Sequence, residues 1–71
     1  MFRIIYGRFF MEEKDALRAV RAVSDLSPVV KESGRLFAVE LGKYRKRKDA
    51  DAAYSAFRAS GLRVFIREIS V

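Results

Sequence analysis

Leu41-Gly42-Lys43-Tyr44-Arg45-Lys46-Arg47-Lys48-Asp49-Ala50 closes one apolar run and opens a helical pattern. It also gathers five of the chain's fifteen cationic residues into six positions, with Tyr44 among them. The same outline occurs earlier, as Tyr6-Gly7-Arg8-Phe9 followed by Lys14-Asp15-Ala16. Gly7 and Gly42 are 35 residues apart, as are Phe9 and Tyr44, whereas Lys14-Asp15-Ala16 and Lys48-Asp49-Ala50 are 34 apart. The chain therefore reads as two copies of one strand–turn–helix–strand unit, with one residue of slippage in the turn. The copies span about residues 2–33 and 35–70 of a single 71-residue domain.

Working outward from that repeat, residues 2–9 form a strand by their β-branched and aromatic content. By the two-residue period, Phe2, Ile4 and Tyr6 share one face, and Arg3, Ile5 and Gly7 the other. A helix follows over residues 12–23, opened by Glu12-Glu13, acids that complement its dipole. Its apolar stripe is Ala16, Ala19, Val20 and Val23, with Leu17 beside it. Ser24-Asp25-Leu26-Ser27-Pro28 ends that helix. A short strand over 29–32, a Ser33-Gly34 turn and a strand over 36–41 make a hairpin. The second helix covers 47–59 with the stripe Ala50, Ala53, Tyr54 and Phe57, and Ser60-Gly61 stops it through a left-handed cap. The last strand covers 62–69. It sets Leu62, Val64 and Ile66 on one face and Arg63, Phe65 and Arg67 on the other.

The order βαββαβ predicts an α+β, ferredoxin-like or RNP-like fold. Its four-stranded antiparallel sheet has the order 4-1-3-2, with both helices on one face. If each half were a simple crossover, the two central strands would instead run parallel. Gly7 and Gly42 would lie near the ends of those strands, which enter the helices through similar turns, with Phe9 and Tyr44 plugging the core beneath them. The helix-facing surface would hold Ile4, Tyr6, Phe37, Val39, Leu41, Val64 and Ile66. The opposite surface is left open. It would show Arg3, Ile5, Leu36, Ala38, Glu40, Arg63, Phe65 and Arg67, a mixed apolar and cationic face suited to binding.

Composition narrows the function classes. With 51% apolar and 34% charged residues the chain is globular in type. It has no cysteine and no histidine, so thiolate metal sites, disulfides and the usual general base are all missing. Asp15, Asp49 and Asp51 lie at helix starts, and Ser33, Ser55, Ser60 and Ser70 have no histidine to activate them. No cofactor or metal site is therefore expected, and the reading is a binding module rather than an enzyme. No run reaches membrane-spanning length, and no signal peptide is seen. The net charge of +6 favours anionic partners. The basic patch Lys43, Arg45, Lys46, Arg47 and Lys48 opposes the dipole of the second helix, a cost that a bound anion would offset.

Two families share this element order. RNA-recognition motifs align Arg35-Leu36-Phe37-Ala38-Val39-Glu40-Leu41 with their third-strand motif and Ile4-Ile5-Tyr6-Gly7-Arg8-Phe9 with their first-strand motif. Their stacking positions then fall on Leu36, Ala38 and Ile5, none of which carries a ring. The chain more closely resembles the SPOR (sporulation-related repeat) domain. The resemblance rests on Phe37-Ala38-Val39-Glu40-Leu41-Gly42-Lys43-Tyr44, the following Asp49-Ala50, and Phe57-Arg58-Ala59-Ser60-Gly61 in the second half. In the first half Ile5-Tyr6-Gly7-Arg8-Phe9 stands where the family usually has Gln-x-Gly-Ser-Phe.

That resemblance implies a non-catalytic module of the bacterial cell envelope and cell-division machinery that binds peptidoglycan glycan strands on its open sheet face. The ligand-binding residues it points to are Arg3, Ile5, Arg8, Glu40, Arg63, Phe65 and Arg67. Ile5 and Arg8 replace the family's glutamine and serine. Ile5 offers no hydrogen bond, while Arg3, Arg8, Arg63 and Arg67 supply donors and favour an anionic ligand. The resemblance implies a cell-envelope or periplasmic setting within a larger exported protein; without an export signal the setting would be cytoplasmic. Nucleic acid bound through the basic patch, and a protein partner or second copy covering the sheet, are the alternative expectations.

Overall fold

Strand β1 (Phe2–Phe10) lies inside a four-stranded sheet, flanked by β3 (Leu36–Tyr44) and β4 (Val64–Glu68), with β2 (Val29–Ser33) outside β3. The computed structural model describes residues 1–69. The expected end of the second repeat at residue 70, with Ser70 itself, and the chain's last residue lie outside the described residues. Helix α1 (Glu13–Val20) and a 3₁₀ segment (Arg21–Leu26) join β1 to β2, and α2 (Arg47–Ala59) joins β3 to β4. The fold is α+β, with the sheet order β2-β3-β1-β4, which is 4-1-3-2 read backwards.

All three neighbouring strand pairs are antiparallel. The antiparallel sheet expected from the element order is present, and the parallel central strands that simple crossovers would have given are not. Each helix links two strands of the same direction, but a strand of the other half lies between them. The crossovers are therefore split, and β1 and β3 meet head to tail.

Both helices pack on one sheet face over two adjoining clusters. One is built on Ile4, Ala50 and Val64, with Tyr44, Tyr54, Phe57 and Leu62 against it. The other is built on Ala16, Val23 and Val39, with Phe10, Val30 and Phe37 against it. Ala16 and Ala50 are both fully buried. They stand at matched places in the two helices, where only a small side chain lets a helix approach the sheet closely. Helix α2 ends in the hydrogen-bond pattern of a Schellman cap: Gly61 N–H donates to Arg58 O (3.0 Å) and Leu62 N–H to Phe57 O (3.1 Å). Leu62 and Phe57 both pack against the cluster of Ile4, Ala50 and Val64, which fixes how the chain re-enters the sheet.

Helix α1 is shorter than its apolar stripe predicts. After Val20 the backbone tightens to 3₁₀ geometry, and Val23 leaves helical space altogether (φ −130°, ψ 25°). Val23 is nevertheless fully buried. The kink carries the chain toward Ser27, which takes a left-handed conformation (φ 53°) just before Pro28. Proline disfavours a right-handed helical residue before it, so the turn has few alternatives.

Strand β1 runs past Gly7 to Phe10. Gly7 sits within it at φ 72°, a conformation that costs other residues about 1 kcal/mol or more. Beyond it the register against β3 slips: Tyr6 faces Val39, but Phe10 faces Phe37, so β1 bulges between them. Four steps in β1 thus span two in β3, an even excess that keeps the alternation: Phe10 stays on the core side with Tyr6, and Phe9 lies on the opposite sheet face against Phe65. Phe9 is thus not a core plug, and the structural counterpart of Tyr44 is Phe10, 34 residues earlier. Gly42 has a different role from Gly7. It lies inside β3, and an added Cβ would fall 2.8 Å from the Tyr44 ring folded over it.

Candidate functional site

The sheet face away from the helices carries the residues that the sequence singled out. Across β3, β1 and β4 they form registered rows. Lys43, Arg3 and Arg67 stand side by side in one row, and Glu40, Ile5 and Phe65 in another. Paired residues of this kind have Cβ atoms about 5 Å apart, so three cations in one row repel one another. Glu40 relieves that strain. Its Oε2 lies 3.3 Å from Arg3 Nε, and its side chain is only 8% exposed. Neither of these two atoms makes a well-directed hydrogen bond within the protein. The ion pair is close in distance but poorly aligned, so it is chiefly an electrostatic contact.

This face is more closed than an open sheet implies. Ile5 is 2%, Ala38 3% and Glu40 7% exposed. They are the floor of the face rather than its contact surface. The accessible layer is aromatic and cationic. Phe9 and Phe65 meet with ring centroids 5.6 Å apart and planes tilted by 59°, and the Arg67 guanidinium lies 5.0 Å over the Phe9 ring. Phe9 joins this group by the same alternation that puts Arg3 and Ile5 on the helix-free face. Such a layer offers ring faces for stacking and several N–H donors beside them.

The predicted ligand-binding residues separate into two places. Arg3, Ile5, Glu40, Phe65 and Arg67 belong to the sheet face. Arg8 and Arg63 line a groove at the end of the sheet, where Arg8 lies 5.7 Å over the Phe10 ring. The predicted basic patch also divides. Strand β3 runs to Tyr44, past its expected end at residue 41, and one extra residue between Glu40 and Gly42 switches its alternation, which puts Lys43 in the cationic row of the sheet. Arg45, Lys46, Arg47 and Lys48 stay exposed at the start of α2. Arg47 is engaged there with Asp51 (Nε to Oδ1, 3.3 Å) and lies 5.6 Å over the Phe2 ring. Lys46 precedes the helix in an extended conformation, with no side-chain cap.

Sequence reasoning missed Phe9 and Lys43 as members of the face. The signal was present for Phe9, since the two-residue period that puts Arg3, Ile5 and Gly7 on the open face reaches Phe9 next. Among the described residues, no group of three or more acidic, cysteine or histidine side chains could hold a metal ion. Among the same residues no helix is long and apolar enough to cross a membrane. No family model, curated protein or solved structure matches the chain.

Proposed function

We propose that this chain is a non-catalytic binding module that takes a linear polymer across the helix-free sheet face, with peptidoglycan glycan strands as the ligand. The observation that carries the reading is the Phe9–Phe65 pair set beside Arg67, next to the row of Lys43, Arg3 and Arg67. A sugar ring presents a C–H face that packs on an aromatic ring, and its hydroxyl and acetamido groups need hydrogen-bond partners around that contact. Arginines in the same layer supply those donors. The SPOR resemblance supplies the identity of the glycan and a setting in the bacterial cell envelope, as part of a larger exported protein.

A second reading is single-stranded nucleic acid on the same face. It is favoured by the three-cation row and by the exposed run at the start of α2. Phosphates would neutralise both, and bases would take the place of sugar rings on Phe65.

Sedimentation of the purified domain with insoluble peptidoglycan, beside fluorescence binding of single-stranded RNA and DNA, separates the two across a salt series. Nucleic-acid affinity falls steeply with salt through counterion release. Binding to a glycan, which has no phosphate in every unit, changes less. Binding to neither, with an apparent mass that rises with concentration, would replace both readings by a second copy of the chain covering the sheet.

A further inference from the structure

A second recess lies outside the sheet face. It is a groove of about 680 Å³ at the end of the sheet, bounded by β1 past its bulge, by α1 and by the turn from α2 into β4. Its floor is Tyr6, Phe10 and Leu62, side chains packed against the core clusters and therefore fixed in place. Its polar wall consists of Arg8 and Arg63. The backbone holds these two arginines close together, because Gly7 N–H donates to Arg63 O at 2.7 Å and Arg8 follows directly. The Arg8 guanidinium is held over the Phe10 ring at 5.7 Å, which keeps it at the rim.

Neither arginine forms an ion pair within 4.0 Å of a carboxylate among the described residues. Asp15 borders Arg8 from an adjoining hollow but lies beyond that distance. Two arginines on the wall of one groove, beside an apolar floor and without a carboxylate partner, can offer their guanidiniums to one oxyanion. A guanidinium binds a carboxylate or phosphate through paired, charge-assisted hydrogen bonds.

We propose that this groove is a binding site for a small amphipathic anion, an oxyanion carried on an apolar or aromatic body. The oxyanion sits between Arg8 and Arg63, and the apolar body lies along Tyr6, Phe10 and Leu62. The site is separate from the sheet face and does not depend on the glycan reading. Its volume is in the range of small-molecule sites.

The test is an amide-resolved NMR titration of the full chain with three probes of similar size: benzoate, phenyl phosphate and benzyl alcohol. Either anion should bind with a dissociation constant of about 1 mM. The shifts should centre on the amides of Gly7, Gly61, Leu62 and Arg63, with benzyl alcohol much weaker. Whichever anion binds more tightly identifies the oxyanion as carboxylate or phosphate. Arg8→Gln and Arg63→Gln should each weaken binding roughly tenfold. The proposal is overturned if neither anion binds the wild-type chain, if benzyl alcohol binds as well as the anions, or if the shifts centre on residues 45–48. It is also overturned if both variants, with amide spectra as dispersed as the wild type, bind unchanged.

Discussion

Arg3 Nε and Glu40 Oε2 face each other at 3.3 Å on the sheet face that no helix covers, and both atoms are shielded from solvent. Burial on that side of a small sheet comes from its own side chains. It makes the pair an energetic hinge of the face, because either charge left alone there would be poorly solvated. Arg3→Met should therefore destabilise the domain by about 3 kcal/mol, since it strands Glu40. The double variant Arg3→Met/Glu40→Leu should recover most of that loss, because a matched apolar pair removes both desolvation costs. Chemical denaturation of the single and double variants measures the difference. Equal stability of Arg3→Met and the wild type would show that Glu40 does not need its partner.

Gly7 and Gly42 occupy equivalent places in the two halves but resist substitution for different reasons. Gly7→Ala should cost about 1 kcal/mol through its left-handed backbone alone, since a Cβ there would meet open space. Gly42→Ala should cost a similar amount or more through collision with the Tyr44 ring. The two mechanisms separate in a Tyr44→Ala background, where the Gly42→Ala penalty should largely disappear and the Gly7→Ala penalty should persist. Denaturation midpoints of the four combinations decide it.

Phe57 closes α2 over the cluster of Ile4, Ala50 and Val64. The ring is half-buried, which sets Phe57→Ala near about 3 kcal/mol, the lower end for such a truncation. A domain this small has on the order of 5 kcal/mol of stability in all. The variant should therefore melt far below the wild type, and an unchanged melting temperature would mean that the stripe of α2 does not carry the core.

The order of elements and the topology were legible because the two strongest local signals agree. The stripe Ala50, Ala53, Tyr54 and Phe57 and the Ser60-Gly61 stop give α2 the same bounds in sequence and structure. Alternation placed Ile4, Tyr6, Val39, Val64 and Ile66 on the helix side. What could not be read by alternation is the bulge. Counting in twos nevertheless puts Phe10 on the helix side and Phe9 on the open face; matching Phe9 to Tyr44 at the repeat spacing of 35 is what assigned Phe9 to the core. Likewise the basic run after Gly42 looks like a turn, yet β3 continues to Tyr44 because β1 is long enough to pair with it, Phe2 opposite Tyr44. The burial of Glu40 was also invisible, since it depends on Arg3 from a strand more than thirty residues away in the sequence.

The central claim is that the aromatic and cationic sheet face, rather than the basic run at the start of α2, holds the polymer. The most direct measurement is the affinity of the wild type, Phe65→Ala and Lys46→Ala/Arg47→Ala for insoluble glycan strands, with single-stranded RNA as the comparison. Phe65→Ala should weaken glycan binding by roughly tenfold, the value of one lost stacking contact. It should leave the domain folded, because Phe65 lies outside both core clusters. Lys46→Ala/Arg47→Ala should leave glycan affinity within about twofold of the wild type. The opposite ranking would contradict the account: a folded Phe65→Ala that binds glycan as the wild type does, beside a Lys46→Ala/Arg47→Ala variant whose salt slope for RNA flattens by about two.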